Sequence, residues 1–443
     1  MSELPSGWAE ARIGDLADLN PKQAFDDEVV AGFVPMSHAP TTFRDKLRFD
    51  ERPWGDIKKA YTNFKDGDVI FAKVTPCFEN GKAAFVEGLP NGIGAGSSEF
   101  FVLRPSCEDI SAKYLLGVVK SRDFLREGEA NMTGAVGLRR VPKQFVESYP
   151  VLVPPAAEQT RIAAKLDELL AQVDTLKARI DGIPALLKRF RQSVLAAAVS
   201  GRLTEEWRGG ASEWVETTIG EICSVATGKT PKRDAPEYWA GGDIPWLTSA
   251  ATGTEFCSEA EQFVTEFAVK DCVLKIFQPG TLLMAMYGEG KTRGQVTELR
   301  LAAACNQACA AITVDEALAK KAFVKIRLQE NYEEVRKQAV GGAQPNLNLN
   351  KVREISICLP SLEEQTEIVR RVEQLFAFAD QLEAKVNEAR TRIDRLTQSI
   401  LAKAFRGELV PQDPNDEPAS ELLARITAQR ANATKAKRGR KSG

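Results

Sequence analysis

The run Met286-Tyr287-Gly288-Glu289-Gly290-Lys291-Thr292 ends as a phosphate-binding loop does, where glycine amides and a lysine cradle a polyphosphate. The glycine that should open such a loop is Ala285, so the required bend is not encoded and a polar turn fits better. Asn91-Gly92-Ile93-Gly94-Ala95-Gly96 has the glycine density of a cofactor-binding turn but no strand-turn-helix frame around it, and a hairpin turn is expected there. Val153-Pro154-Pro155-Ala156 carries the two prolines of the amino-methyltransferase tetrad without the polar residue before them or the aromatic after them. Glu383-Ala384-Lys385 copies part of a nuclease motif, yet it falls inside a helical pattern where such charges form solvated surface. A single histidine, His38 beside Pro40, leaves no material for histidine triads or multi-histidine metal sites. The eight cysteines include no Cys-x-x-Cys pair, and Cys305 and Cys309 have neither the spacing nor the histidines of a zinc site. They read as reduced packing residues, and no catalytic or metal-binding residue is expected in this chain.

The elements that could position any binding residue come next. At 443 residues two globular domains are expected. No apolar stretch approaches the roughly 20 residues of a membrane span, and Met1-Ser2-Glu3-Leu4-Pro5 lacks the basic start and apolar core of a secretory signal. The cytosol is the expected compartment, with no membrane partner. A net charge of -2 and a pI near 5.9 argue against a grip on nucleic acid by bulk charge alone, so any such contact must come from local patches or from partners. The one basic run, Lys435-Ala436-Lys437-Arg438-Gly439-Arg440-Lys441, is expected to be a disordered solubilising tail.

An internal repeat organises the chain. Trp8, Ile13 and Gly14 recur as Trp214, Ile219 and Gly220, an offset of 206. The same offset carries Pro154, Glu158, Gln159, Thr160 and Ile162 onto Pro360, Glu364, Gln365, Thr366 and Ile368, and Gly201 and Leu203 onto Gly407 and Leu409. Each half therefore reads as a globular segment, about 10 to 150 and 215 to 356, followed by a long helix, about 156 to 200 and 361 to 406. Ile162, Leu166, Leu169, Val173, Leu176, Ile180, Ile183, Leu187, Phe190 and Val194 alternate by four and three. Ile368, Val372, Leu375, Ala379, Leu382, Val386, Ala389, Ile393, Leu396 and Ile400 repeat that seam, so a coiled coil is expected. Ser361 with Glu364 forms a capping-box signature, Gly201 and Gly407 suit helix ends, and Pro184 should kink or split the first helix.

Only about ten residues join the first helix to the second globular segment, which ends directly against the second helix. The two helices should therefore run antiparallel, with one globular domain at each end of a strut on the order of 60 Å long. The globular segments read as mixed α/β, with corresponding strands after Lys65-Asp66-Gly67-Asp68 and Gln278-Pro279-Gly280-Thr281. The fold class is α+β: two mixed α/β domains separated by two long antiparallel coiled-coil helices in a pseudo-two-fold repeat. The expected boundaries are 1–155, 156–210, 211–358 and 359–410, with a basic, partly disordered tail at 411–443.

In this order and duplicated at one offset, several segments resemble the specificity subunits of type I restriction-modification systems across nearly the whole chain. They are Tyr238-Trp239-Ala240-Gly241-Gly242-Asp243-Ile244-Pro245-Trp246-Leu247, Gln344-Pro345-Asn346-Leu347-Asn348-Leu349, Leu359-Pro360-Ser361-Leu362-Glu363-Glu364-Gln365 and Ser193-Val194-Leu195-Ala196-Ala197-Ala198-Val199-Ser200-Gly201-Arg202-Leu203. The resemblance implies that 1–155 and 211–358 are target recognition domains, each reading one half of an asymmetric split site in double-stranded DNA, with the helices as spacers. It also implies two modification subunits, forming an N6-adenine methyltransferase dependent on S-adenosylmethionine, and two restriction subunits, adding an endonuclease and translocase driven by ATP and Mg. Those cofactors would belong to the partners, and none to this chain.

Reading base edges needs amides, guanidinium or ammonium groups and hydroxyls on exposed loops. The candidates are Lys73, Thr75, Asn80, Lys82, Ser97 and Ser98 in the first domain, and Lys291, Thr292, Arg293, Asn306 and Gln307 in the second. Half-sites roughly 34 Å apart would suit one face of a duplex. Partner contacts are expected on the helix faces opposite the seams and at the repeated Glu-Gln-Thr starts. Two other readings stay open: a stand-alone coiled-coil DNA-binding regulator, and a nucleotide hydrolase built on Gly290-Lys291-Thr292.

Overall fold

The computed structural model describes residues 4–135, 137–209, 213–287, 292–332 and 347–439, with side chains to 432. Five helices matter most: α1 (Ala112–Lys120), α2 (Ala156–Val199), α3 (Lys321–Glu330), α4 (Leu362–Phe405) and α5 (Ala419–Gly439). The chain divides into two compact units, Met1–Asp181 with Asn387–Gly443, and Gly182–Val386. Both divisions fall inside the long helices, so each unit holds the start of one and the end of the other.

In the first unit the strands are β1 (Ala9–Arg12), β2 (Ala17–Leu19), β3 (Val30–Val34), β4 (Asp50–Pro53), β5 (Thr62–Lys65), β6 (Val69–Ala72), β7 (Ala83–Phe85), β8 (Ile93–Gly96), β9 (Phe100–Pro105), β10 (Thr133–Ala135), β11 (Leu138–Arg140) and β12 (Pro150–Val153). They form sheets ordered β2-β9-β6-β7 and β4-β3-β8-β5, with the pairs β1-β12 and β10-β11 beside them. The expected turn before β6 is present: Gly67 has φ +90°, and the fully buried Asp68 accepts from the Lys65 amide at 2.8 Å. Arg104 closes a fork on the same carboxylate at 2.8 and 2.7 Å.

The glycines at 91–96 do not make a hairpin turn. Asn91 and Gly92 turn the chain at positive φ, and β8 then runs parallel to β3 and antiparallel to β5. A Cβ at Gly94 would sit 2.7 Å from the Gly32 carbonyl oxygen, and one at Gly96 2.4 Å from that of Val34, so close strand approach requires these glycines.

The second unit repeats the plan with β13 (Val215–Thr218), β14 (Cys223–Thr227), β15 (Ile244–Leu247), β16 (Phe256–Cys257), β17 (Gln262–Val264), β18 (Leu282–Ala285), β19 (Val296–Leu299), β20 (Ala304–Cys305), β21 (Cys309–Val314) and β22 (Ser356–Leu359). Its sheets are ordered β14-β21-β18-β19-β16 and β17-β15-β20, and β13 pairs with β22 as β1 does with β12. β15-β20 is parallel, like β3-β8.

Within each unit the long-helix segments pack antiparallel. In the first, Lys177 meets Asp394 at 3.6 Å and Asp181 meets Arg390 at 2.9 Å, so one number falls as the other rises. In the second, Arg191 reaches Asp380 at 2.6 Å and Glu383 at 2.9 Å, and that contact holds Glu383 in the helix surface. The buried stripe on α4 keeps a seven-residue period through Val372, Ala379, Val386, Ile393 and Ile400. Leu176 and Leu396 are 46% and 45% exposed, because a two-stranded seam covers one narrow line of each helix. At the start of α2, Leu170 is buried and Leu169 only partly, since the sheet domain there covers a wider helix face than the seam alone.

Pro184 does not split α2, which runs unbroken through it. One missing amide donor costs about 3 kcal/mol, spread over a helix of 44 residues. Gly201 and Gly407 end the helices at φ +76° and +71°. Ser361 Oγ accepts from the Glu364 amide at 3.2 Å, as a cap should, but the Glu364 carboxylate turns inward instead of closing the box. Where the sequence suggests a partly disordered tail, α5 docks on the first unit through Ala419, Leu422 and Ile426. Arg430 anchors it, donating to the Gly14 carbonyl and to Ser106 Oγ, both at 2.6 Å. The basic run from Lys435 lies outside the described side chains.

Candidate nucleic-acid interface

The candidate residues cluster at the same end of one strand pair in each unit. β6 and β9 pair with Ala72 opposite Phe100, and β18 and β21 pair with Ala285 opposite Cys309. Beyond Ala72 and just before Phe100 lie Lys73, Thr75, Asn80, Lys82, Ser97 and Ser98. Beyond Ala285 and just before Cys309 lie Thr292, Arg293, Asn306 and Gln307, while Lys291 lies outside the described residues.

In the first unit the cluster is held by backbone bonds. The Lys73 amide donates to the Glu99 carbonyl at 2.9 Å, the Thr75 amide to the Arg139 carbonyl at 3.0 Å, and the Val141 amide to the Lys73 carbonyl at 2.8 Å. Lys73 Nζ stands 5.4 Å from the centre of the Phe101 ring. Asn80 and Ser98 are exposed. Lys82 Nζ donates to the Met36 carbonyl at 2.9 Å and Thr75 Oγ1 to Glu79 at 2.9 Å, so these two side chains hold loops together. Ser97 Oγ accepts from the Glu99 amide at 3.2 Å.

In the second unit the Met286 amide donates to the Ala308 carbonyl at 2.8 Å, which brings the two turns together. Asn306 Oδ1 accepts from the Ala308 amide at 3.1 Å and shapes its own turn. Gln307 is exposed and takes a 2.6 Å hydrogen bond from Thr230 Oγ1.

The sequence reading misses the hairpin β10-β11 and Glu99. Arg140 donates to both Glu99 carboxylate oxygens, from Nε at 2.9 Å and from Nη2 at 2.7 Å. That hydrogen bond, helped by the charges of Arg140 and Lys73, holds the Glu99 carboxyl below its ordinary value despite partial burial. Arg139 lies 3.8 Å from both Glu79 and Glu129. The glycines of Met132-Thr133-Gly134-Ala135-Val136-Gly137-Leu138 directly before two arginines were the available signal. The offset of 206 carries 133–140 onto 339–346, which, with Gln344-Pro345-Asn346, lies outside the described residues.

The repeated Glu-Gln starts are buried, which corrects their expected exposure to partners. Gln159 donates to the Pro154 carbonyl at 3.0 Å and accepts from the Ser111 amide, ahead of α1, at 2.9 Å. Gln365 repeats this with the Pro360 carbonyl at 3.0 Å and the Lys320 amide, ahead of α3, at 2.7 Å. Each glutamine therefore clamps a long helix to the domain helix beside it. Among the described residues no group of three His, Cys, Asp or Glu could hold a metal ion, all eight cysteines are free, and no helix is long and apolar enough to cross a membrane.

The description "Type I restriction modification DNA specificity domain" matches twice, over residues 5–185 and 211–389, one copy for each repeat. The chain belongs to the type I restriction-modification specificity family. It is 30% identical over 479 aligned residues to the StySPI specificity subunit of Salmonella potsdam, covering 99% of both chains. The EcoAI specificity subunit of Escherichia coli is 45% identical over 170 residues, which are 38% of this chain and 29% of that relative's length. The fold matches a chain from a structure of complex assembly and conformational transition in a type I R-M system at TM-score 0.69 and 22% identity, covering 92% of this chain and 100% of that one.

Proposed function

We propose that this chain is the DNA-reading subunit of a type I restriction-modification enzyme and supplies no catalytic residue of its own. The observation that carries this is the doubling of one device: two units of common topology present loops from the same end of the same strand pair, with different residues in each. A duplicated frame with unlike loops suits two different half-sites better than two copies of one. Residues 1–155 and 211–358 are then the target recognition domains, with 156–210 and 359–410 as spacers. Lys73, Asn80, Ser98, Thr292, Arg293 and Gln307 stand where base edges or phosphates would be met, while Thr75, Lys82, Ser97 and Asn306 shape the loops.

Two modification and two restriction subunits would bring S-adenosylmethionine, ATP and Mg chemistry to the site in the cytoplasm. Their contacts would fall on helix faces that the seam leaves exposed, such as those carrying Leu176, Leu396 and Phe378, the last 55% exposed. Family membership favours this reading over a stand-alone regulator or a nucleotide hydrolase. Mapping methylated adenines in cells that carry this chain with its modification subunits tests it. The expected result is one split, asymmetric motif, and unchanged methylation when this chain is deleted would contradict it.

A further inference from the structure

We infer that Arg140 reads a guanine in the half-site of the first domain, held ready for it by Glu99. The inference rests on the function proposed above. Glu99 occupies the Nε–Nη2 edge of the guanidinium at 2.9 and 2.7 Å. The other edge, Nη1 with the second hydrogen of Nη2, meets no acceptor among the described residues. A fork of that shape fits the O6 and N7 acceptors of guanine in the major groove. Arg140 keeps 44% of its side-chain surface and Glu99 27%, unlike Arg104, whose forked partner Asp68 keeps 1%.

Position and charge point the same way. Arg140 ends a two-stranded ribbon whose Thr133, Gly134 and Ala135 are exposed, and the major groove admits such a ribbon. Bonds from the flanking backbone of Arg139 and Val141 fix it to the turn that carries Lys73 and Thr75. The Arg140–Glu99 pair carries little net charge as a unit, which makes a poor phosphate anchor and leaves directional bonding to uncharged base acceptors. Anchoring by a carboxylate also removes the rotamer freedom that a free arginine would lose on binding.

The test compares wild type, R140A and E99Q, each in complex with its modification subunits, by mapping methylated adenines and by DNA binding across a salt series. R140A is expected to relax one guanine position of one half-site by roughly 5- to 150-fold and leave the other half-site unchanged. E99Q should relax the same position less and steepen the salt dependence by about one phosphate contact, because the charge of Arg140 is no longer offset by a carboxylate. An unchanged motif in R140A, or an even loss at all sites without a change of base, would overturn the inference while leaving the proposed function standing. Absence of any split motif for the wild-type complex would overturn both.

Discussion

Replacing Arg208 with methionine is expected to destabilise the second unit by about 3–5 kcal/mol, the usual cost of leaving one partner of a buried ion pair alone. The Glu364 side chain keeps 1% of its surface and accepts from Arg208 Nε at 3.0 Å and from Thr204 Oγ1 at 2.7 Å. Arg208 also donates to the Gly201 carbonyl at 2.7 Å and lies 5.3 Å from the centre of the Trp214 ring, so its loss leaves a buried carboxylate without its counter-ion and the Gly201 carbonyl without that donor. Denaturant unfolding followed through Trp214 fluorescence measures the change, and a loss below about 1 kcal/mol would show that the pair contributes as little as a surface one.

The equivalent Glu158 should behave in the opposite way. Among the described residues its donors are neutral, Trp8 Nε1 at 3.0 Å and Gln412 Nε2 at 3.4 Å. Burial raises its carboxyl above the ordinary value, against the hydrogen bonds from Trp8 and Gln412 and the charge of Arg161. A raised folded value means that the folded state binds the proton more readily, so stability falls as pH rises from the ordinary glutamate range through that raised value. E158Q keeps the shape and should abolish that fall with little loss of stability.

Replacing Lys120 with methionine is expected to cost the first unit about 1–3 kcal/mol by leaving the buried Gly81 carbonyl, and the more exposed one of Thr41, without a donor. Lys120 is 5% exposed, and its amine donates to Thr41 at 3.0 Å and Gly81 at 2.8 Å. Burial pushes the Lys120 amine down to about 7, opposed by the charge of Asp45. Between that value and the ordinary lysine range near 10, the folded state holds fewer protons than the unfolded one. Wild-type stability should therefore rise with pH from about 7 upward, by at most about 1.4 kcal/mol per pH unit, and lose that gain as pH falls back through about 7. Unfolding midpoints from pH 6 to 9 should show the slope in wild type and none in K120M; equal slopes would disprove the assignment. Gly81 lies between Asn80 and Lys82, so the same variant should loosen a loop proposed to meet DNA.

What could be read from the sequence was whatever one chemical rule dictates at fixed spacing. Gly201 and Gly407 announced helix ends because a left-handed residue strongly favours glycine, and Val372 to Ile400 announced a seam because the period is seven. The strands at Val69 and Leu282 were legible for the same reason, each following a turn with glycine at positive φ. Long-range partners were not legible. Glu158 and Gln159 look like helix-surface residues until Trp8, Ser111 and Gln412 come from elsewhere in the chain to enclose them. The C-terminal helix reads as a polar tail because Leu422 and Ile426 are too few to mark a stripe until the first core covers them. Arg140 stayed unremarked because its partner Glu99 is 41 residues away.

The most direct test of the account is to exchange residues 10–150 for the corresponding segment of another family member and map methylated adenines in the assembled enzyme. One half of the recognised site should change to that of the donor while the other half keeps its sequence. A change in both halves, or in neither, would contradict a chain built from two independent reading units.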